Sequence, residues 1–231
     1  MLGLCNNLAY VVFLSAALEL LDEMNSALST VGVVLACDTV PGLVAKLAAS
    51  WVGERVGFVV RVSLVVVLAL ASFWLAALVP KAALLGVIMA SASSGLGEAT
   101  FLHAASIVGP EAIAGWSSGT GGAGVVGASL YLVLMLIFNS TPVALCLISA
   151  LPLLMIPAFW RVLLEIRSRE GVDGKLLAGD EAEAREQEEE AKDTRLGMAE
   201  KWEQYKALFL PYCLPLFTVY AAEYLINTAI Y

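Results

Sequence analysis

The sequence has few charged residues for its length. Charged residues make up 15% of the 231 positions, hydrophobic residues make up 60%, and the mean hydropathy is +0.83. Soluble domains carry about 25% charged residues, so this composition excludes a soluble globular protein and indicates an integral membrane protein. The net charge of −8 is not spread over the chain, because the acidic residues are concentrated within residues 180–193.

Histidine and paired cysteines are also scarce. His103 is the one histidine, and the four cysteines stand singly at positions 5, 37, 146 and 213. No zinc-ligand spacing and no nucleophile with a paired base is present, so we predict no enzyme, no metal site and no cofactor. The cysteines are predicted to be small core residues, and His103 a structural or surface residue. No nucleic-acid partner is predicted.

Long apolar runs dominate the sequence instead. About 20 apolar residues cross a bilayer as a helix, and runs of that order occupy residues 2–21, 28–51, 58–79, 82–108, 112–138 and 143–164. A seventh run begins at residue 207. We therefore predict an all-α multi-pass protein in a lipid bilayer, with a six-helix domain in residues 1–165, a charged linker in residues 166–206 and a seventh helix in residues 207–231.

Several ionisable and polar side chains lie inside these runs. Glu98 is in the fourth run, Asp38 and Lys46 are in the second, and Glu223 is in the seventh. A charge at the centre of a membrane helix costs about 2.5–3.5 kcal/mol on insertion scales, so it persists where it faces a partner, a cavity or a pathway. Glu98 has two open interpretations, a proton-coupling group or a carboxyl group that hydrogen-bonds a neighbouring helix.

Small and polar residues share faces with these groups. Ser91, Ser94 and Leu102 are predicted on the face of Glu98, and Gly86, Ala90, Ser94 and Glu98 form a row of four-residue steps. In the seventh run a polar stripe contains Tyr220, Glu223, Tyr224, Asn227 and Tyr231.

The fifth run carries the glycine-rich stretch GWSSGTGGAGVVGAS. A phosphate-binding loop is excluded, because the Lys-Ser/Thr ending is absent and no strand precedes the glycines. Four small residues recur every four positions and predict a smooth helix face for close packing: Gly115, Gly119, Ala123 and Gly127.

Prolines mark two expected irregularities. Pro41 and Gly42 lie in the middle of the second run, and a helix broken there would free carbonyl groups that protein or water must cover. Pro152 and Pro157 are predicted to kink the sixth run. The Asn139-Ser140-Thr141 glycosylation pattern is followed by proline close to the membrane, so we predict that it is not used.

Basic residues predict the orientation. Placing the linker in the cytosol leaves Lys81 as the one basic residue on the opposite side, and it places the N-terminus in the cytosol as well. Asp173, Leu176 and Leu177 resemble an acidic dileucine sorting signal, so sorting adaptors are possible partners of the linker.

Four blocks of sequence together resemble the battenin family of lysosomal membrane proteins. They lie in residues 2–17, 93–102, 116–124 and 220–231. The resemblance implies a protein related to the major facilitator transporters, which are built from two six-helix halves, and the present chain is expected to be a truncated form with one half and the seventh helix. A facilitator signature is partly present between the second and third runs, from Gly53 to Arg61.

The resemblance also implies a location and a set of candidate residues. It implies a lysosomal or vacuolar membrane and a link to lysosomal pH, basic amino acids and glycerophosphodiesters. The family's intramembrane acidic positions match Asp38, Glu98 and Glu223, and nearby polar positions match Asn6, Asn7 and Lys46, with Tyr220 and Asn227 as further candidates for binding a solute or protons.

Two functions remain open from the sequence. The first is a proton-linked solute transporter, which polar residues on several runs favour. The second is a non-transporting membrane scaffold whose linker recruits trafficking partners.

Overall fold

The computed structural model describes residues 1–17, 19–20, 31–52 and 56–177, and six single positions between 203 and 218. Regular structure in these residues is helical, which confirms the predicted all-α class. The longer helices are α1 (Leu2–Ser15), α2 (Val31–Val52), α3 (Phe58–Leu78), α4 (Ala83–Val108), α5 (Pro110–Phe138), α6 (Thr141–Ile148) and α7 (Met155–Leu177). Short 3₁₀ helices, Pro80–Ala82 and Leu151–Leu154, precede α4 and α7.

Five segments in the described part of the chain are long and apolar enough to cross a membrane: Gly32–Ala49, Phe58–Leu78, Pro80–Val108, Pro110–Phe138 and Thr141–Ser168. Large apolar side chains such as Val125, Leu132 and Leu136 stand exposed on the outside of α5. An outward apolar surface on helices of this length is typical of contact with lipid. The protein is therefore a multi-pass membrane protein.

Glycine, proline and asparagine set the helix ends. Pro110 opens α5 at a position where its missing N–H would have no helical partner. Gly109, just before it, has φ 125°, a conformation that side chains rarely adopt. Asn139 ends α5 in the left-handed conformation that asparagine tolerates at helix C-termini.

The first and sixth runs are each interrupted. In the first run α1 ends at Ser15, where the serine hydroxyl donates a hydrogen bond to the Val11 carbonyl, and residues 17, 19 and 20 are helical again beyond a turn at Ala16. In the sixth run Pro152 lies in a 3₁₀ segment that separates α6 from α7. Pro157 lies in the first turn of α7, where a missing N–H is tolerated, so the helix is interrupted at Pro152 and not at Pro157.

The last helix also extends further than the predicted domain boundary. α7 continues to Leu177, so residues 166–177 of the predicted linker are helical. The chain divides into two compact units, Met1–Glu170 and Gly171–Tyr231.

α4 lies at the centre of the first unit. It packs extensively on α2 and α3 and also contacts α1 and α5, whereas α1 packs mainly on α5. Phe13 and Phe73 stack with ring centroids 5.2 Å apart in one buried apolar cluster. This arrangement brings the polar faces of α1, α2 and α4 to a common region.

Small residues allow α1 and α5 to approach closely. A Cβ atom built at Gly119 would lie 3.1 Å from the backbone nitrogen of Leu4, and one built at Gly127 would lie 3.1 Å from Val11 Cγ1. Ala123 between them is fully buried. At Gly115 no described atom lies within 4 Å of such a Cβ, so this glycine does not share the contact.

Replacing Gly119 with leucine is expected to separate α1 from α5, because its side chain would occupy the space of the α1 backbone. Overpacking of this kind costs about 1–3 kcal/mol, occasionally more. We expect a lower thermal unfolding midpoint in detergent. Gly124→Leu is the matched control, because this glycine of the same helix has open space around it. Equal midpoints for the two variants would contradict the α1–α5 contact.

Candidate functional site

Polar residues of α1, α2 and α4 bond in three separate groups along one face of α4, and together we call them the polar seam. Its members are Asn6, Asn7, Asp38, Lys46, Ser91, Ser94 and Glu98. On α4, spacings of three and four residues keep the serines and the glutamate on one face. On α2, Asp38 and Lys46 are two turns apart on one face, about 12 Å along the helix axis.

An ion pair forms one end of the seam. Lys46 Nζ lies 2.6 Å from Glu98 Oε2, and the two side chains are 44% and 37% exposed. The structure therefore joins two residues that the sequence singled out separately. A pair of opposite charges avoids most of the cost that either charge alone would bear in a membrane.

Two asparagines of α1 form the middle of the seam. Asn6 Nδ2 donates hydrogen bonds to the Ser94 carbonyl, at 3.0 Å, and to Asn7 Oδ1, at 3.3 Å. The Ser94 hydroxyl also donates to Asn7 Oδ1, at 3.0 Å. A Cβ atom at Gly97 would collide with the Asn6 carboxamide, so Gly97 provides the space in which this amide lies.

Asp38 forms the other end and is the most enclosed charged residue of the seam. It is 4% exposed, and neither carboxyl oxygen has a hydrogen-bond partner among the described residues. Buried polar groups are usually hydrogen-bonded, and an unpartnered one calls for a functional explanation. Asp38 therefore differs chemically from Glu98, which has a cationic partner.

The backbone of α2 is joined to α4 beside Asp38. The Ser91 hydroxyl accepts a hydrogen bond from the Gly42 N–H at 2.8 Å and donates one to the Asp38 carbonyl. The break predicted at Pro41 does not occur, since α2 is continuous from Val31 to Val52.

The predicted row Gly86, Ala90, Ser94 and Glu98 on α4 does not lie wholly on the seam. Ser94 and Glu98 face α1 and α2, whereas a Cβ at Gly86 would lie 2.8 Å from the Ser72 carbonyl of α3. Ala90 is buried in the apolar core. Because each four-residue step rotates about 40° beyond a full turn, a row of this length does not stay on one neighbour.

A second group of side chains gathers where α1 and α3 begin and α4 ends. We call Phe58, Phe101, Trp116 and Phe159 the aromatic cluster, with ring centroids 5.6–6.3 Å apart in contacting pairs. The Arg61 guanidinium stands 4.5 Å from the centre of the Phe58 ring, and the exposed His103 ring is 5.2 Å from it.

A mostly apolar cavity of about 510 Å³ lies beside this cluster. Its walls come from the start of α1, the end of α4, the start of α5 and α7, and they include Gly3, Gly115 and Arg161. Neither Asp38 nor Glu98, the acidic candidates in the described part of the chain, lines this cavity. It is therefore separate from the polar seam.

Some predicted residues have no structural description. Glu223, Tyr220 and Asn227 lie outside the described residues, as do Glu54, Arg55 and Cys213. The backbone of Asp173, Leu176 and Leu177 is helical, but their side chains lie outside the described part. Cys5 is buried, while Cys37 and Cys146 are partly buried, and these three thiols are free.

The sequence analysis missed the glycines that bring the seam together. Gly95 faces Gly42, Gly97 faces Asn6, and Gly3 faces the α5 backbone at Trp116. Glycine inside a helix costs about 1 kcal/mol relative to alanine. Each glycine in an otherwise apolar run could therefore have been marked as a site of close approach.

Comparisons with known proteins agree with one another. A family model described as CLN3 protein matches residues 1–231. Protein BTN1 of Chaetomium globosum is 34% identical over 99% of this chain and 57% of its own length. Protein BTN1 of Saccharomyces cerevisiae is 34% identical over 99% of this chain and 58% of its own length. Battenin of Canis lupus familiaris is 34% identical over 100% of this chain and 60% of its own length. This chain thus spans less than two thirds of these relatives' length. No solved structure matches it.

Proposed function

This chain belongs to the CLN3 protein family, and on that basis we propose that it serves in a proton-linked solute transporter of the lysosomal or vacuolar membrane. The observation that carries the proposal is an ion pair two turns along α2 from a buried aspartate whose carboxyl oxygens have no hydrogen-bond partner among the described residues, within helices apolar enough to span a membrane. Ionisable residues at such positions are rare, and they typically mark ion or solute pathways.

The two acidic residues of the seam have different proposed roles. Lys46 compensates the charge of Glu98 through a direct ion pair. Asp38 has no such partner among the described residues, and an isolated buried carboxylate is far more costly than a neutral carboxyl group. We therefore assign proton exchange to Asp38 first and to Glu98 second.

The ion pair also suggests the kind of solute. Lys46 and Glu98 are partly exposed, and the Asn7 amide is hydrogen-bonded to Ser94, one turn before Glu98 on α4. Such a surface offers a cation, an anion and neutral hydrogen-bonding groups. Basic amino acids and glycerophosphodiesters, the solutes suggested by the family resemblance, carry groups complementary to these.

The positions of the basic residues support the proposed orientation. Arg61 and Arg161 lie at the end of the bundle where α1 begins, and Lys81 lies beyond the opposite end of α3. The start of α1 and the passage from α7 into residues 166–206 lie at this basic end. We therefore propose that the N-terminus and the linker face the cytosol, where the linker could meet sorting adaptors.

Neutralising Asp38 is the direct test of proton coupling. Asp38→Asn is expected to keep folding and localisation, because asparagine has nearly the same size and is neutral. Solute flux into proteoliposomes containing the full-length gene product should lose its dependence on an imposed pH gradient. Glu111→Gln, at an exposed position in the first turn of α5, is the control and should keep the wild-type dependence.

A parallel variant, Glu98→Gln, separates the two carboxyl groups. If Asp38→Asn keeps the pH dependence and Glu98→Gln loses it, the exchange site is Glu98. If both variants keep it, the proton-linked proposal fails. The scaffold alternative depends on residues 166–206, most of which lie outside the described part of the chain. No enzymatic activity is proposed.

A further inference from the structure

α2 contains a proline at its centre and still continues as one helix. Pro41 has no N–H to donate, and its ring crowds the carbonyl one turn earlier, which normally kinks or breaks a helix. The next residue along the chain, Gly42, has the first amide after the proline. In a regular helix this amide would bond directly to the Asp38 carbonyl.

A side chain of another helix is bonded to both of these groups. The Ser91 hydroxyl of α4 accepts from the Gly42 N–H at 2.8 Å and donates to the Asp38 carbonyl. Ser91 is 2% exposed, so water does not compete freely for either group. A side chain inserted at the hydrogen-bond ladder is one of the identified causes of helix kinks.

Two glycines make this insertion possible. A Cβ built at Gly42 would lie 3.0 Å from Ser91 Oγ, and one built at Gly95 would lie 2.8 Å from the Gly42 Cα. The backbones of α2 and α4 therefore touch at the level of the hydroxyl. Larger residues at either position would keep Ser91 from reaching both groups.

We propose that Ser91 is a positioning residue that holds α2 against α4 at the Pro41-Gly42 step and thereby sets the separation of Asp38 from the Lys46–Glu98 pair. Asp38 precedes the proline and Lys46 follows it, so this anchor lies between the two. Any change in how α2 lies on α4 at this step moves the lysine relative to Glu98. The inference concerns the geometry of the seam and holds whether or not the chain moves a solute.

The sequence offers a specific probe of the bridge. Pro41-Gly42 is the one Pro-Gly step among the 231 residues. Labelling proline with ¹³C at the carbonyl and glycine with ¹⁵N therefore yields one carbonyl-to-amide NMR correlation, that of the Gly42 amide. In Ser91→Ala this resonance is expected to shift, because its hydrogen-bond acceptor is removed.

Ser93→Ala is the matched control. Ser93 lies on the same helix, is 3% exposed and donates a 2.7 Å hydrogen bond to the Val65 carbonyl of α3 without touching α2. Its loss should leave the Gly42 resonance in place. The acylation rate of Lys46, measured by mass spectrometry relative to Lys81, should rise in Ser91→Ala and stay unchanged in Ser93→Ala.

An unshifted Gly42 resonance in Ser91→Ala, or an equal shift in Ser93→Ala, would overturn the proposal. If Ser91→Ala does not fold, Ser91→Cys provides the same measurement, because a thiol has similar size but is a weak donor and acceptor. The proposal would also be overturned if both Ser91 variants fail to fold while Ser93→Ala folds, since Ser91 would then determine the fold itself. If the Gly42 resonance shifts in Ser91→Ala but the acylation rate of Lys46 does not change, the link between Ser91 and the ion pair is refuted.

Discussion

Replacing Gly95 with alanine is expected to prevent α2 from packing on α4. The added methyl group would lie 2.8 Å from both the Cα and the carbonyl carbon of Gly42. Backbone atoms cannot rotate away as a side chain can, so the two helices must separate. Separation would also break the Ser91 bridge and the Lys46–Glu98 pair, so the loss of stability should exceed the usual overpacking cost of about 1–3 kcal/mol.

The Gly95→Ala experiment has a close control within the same bundle. Gly124→Ala adds the same methyl group to α5 where the surrounding space is open, and it should raise stability slightly because alanine favours helix. We would measure the monodisperse fraction on size-exclusion chromatography and the thermal midpoint in detergent. A Gly95→Ala protein as well folded as Gly124→Ala would show that α2 and α4 do not touch at this point.

Removing one member of the ion pair is expected to cost more than removing both. Lys46→Ala leaves Glu98 without its cation inside the bundle, and an uncompensated charge there costs about 2.5–3.5 kcal/mol on insertion scales. The same pair at a water-exposed surface would contribute about 0–1 kcal/mol. The double variant Lys46→Ala/Glu98→Ala removes both charges and should recover part of the lost stability.

A double-mutant cycle measures this coupling. Unfolding free energies of the wild type, both single variants and the double variant would be obtained in mixed micelles of increasing denaturing detergent. Lys46→Arg keeps the positive charge and serves as the control, with near wild-type stability expected. Strictly additive effects of the two alanine substitutions would contradict a direct interaction between the side chains.

The membrane character of the chain could be predicted from the sequence because the bilayer imposes length and hydropathy on each helix. The approximate extents of α3, α4 and α5 follow directly from their apolar runs. The pairing of Lys46 with Glu98 could not be predicted in this way, because each residue is anomalous in its own helix and hydropathy does not specify which helices are neighbours. Only the packing of α2 on α4 brings them within reach.

Local chemistry also depended on neighbours that the sequence does not identify. Pro41 indicated a break that α2 does not have, and the hydroxyl that bonds the Asp38 carbonyl beside it comes from Ser91, on a helix that begins more than 40 residues later. The spacing of Gly115 from Gly119 suggested one shared face, yet the 40° rotation per four-residue step leaves Gly115 outside the contact with α1. The positions of neighbouring helices relative to one another decide which of these residues come into contact.

The packing of α1 on α5 has a consequence for biosynthesis. The main partner of the first helix begins at Pro110, so the ribosome must add more than 90 residues after Ser15 before the contact can form. With α5 itself to complete, about 120 residues are needed, and at about 5–20 residues per second this takes roughly 6–25 s. Until α4 has been made, Asn6 and Asn7 lack their hydrogen-bond partner Ser94, and until α5 has been made, the face of α1 that packs on it stays uncovered. Early membrane insertion of this protein therefore has to shelter two asparagines and a packing face of α1 whose partners have not yet been made.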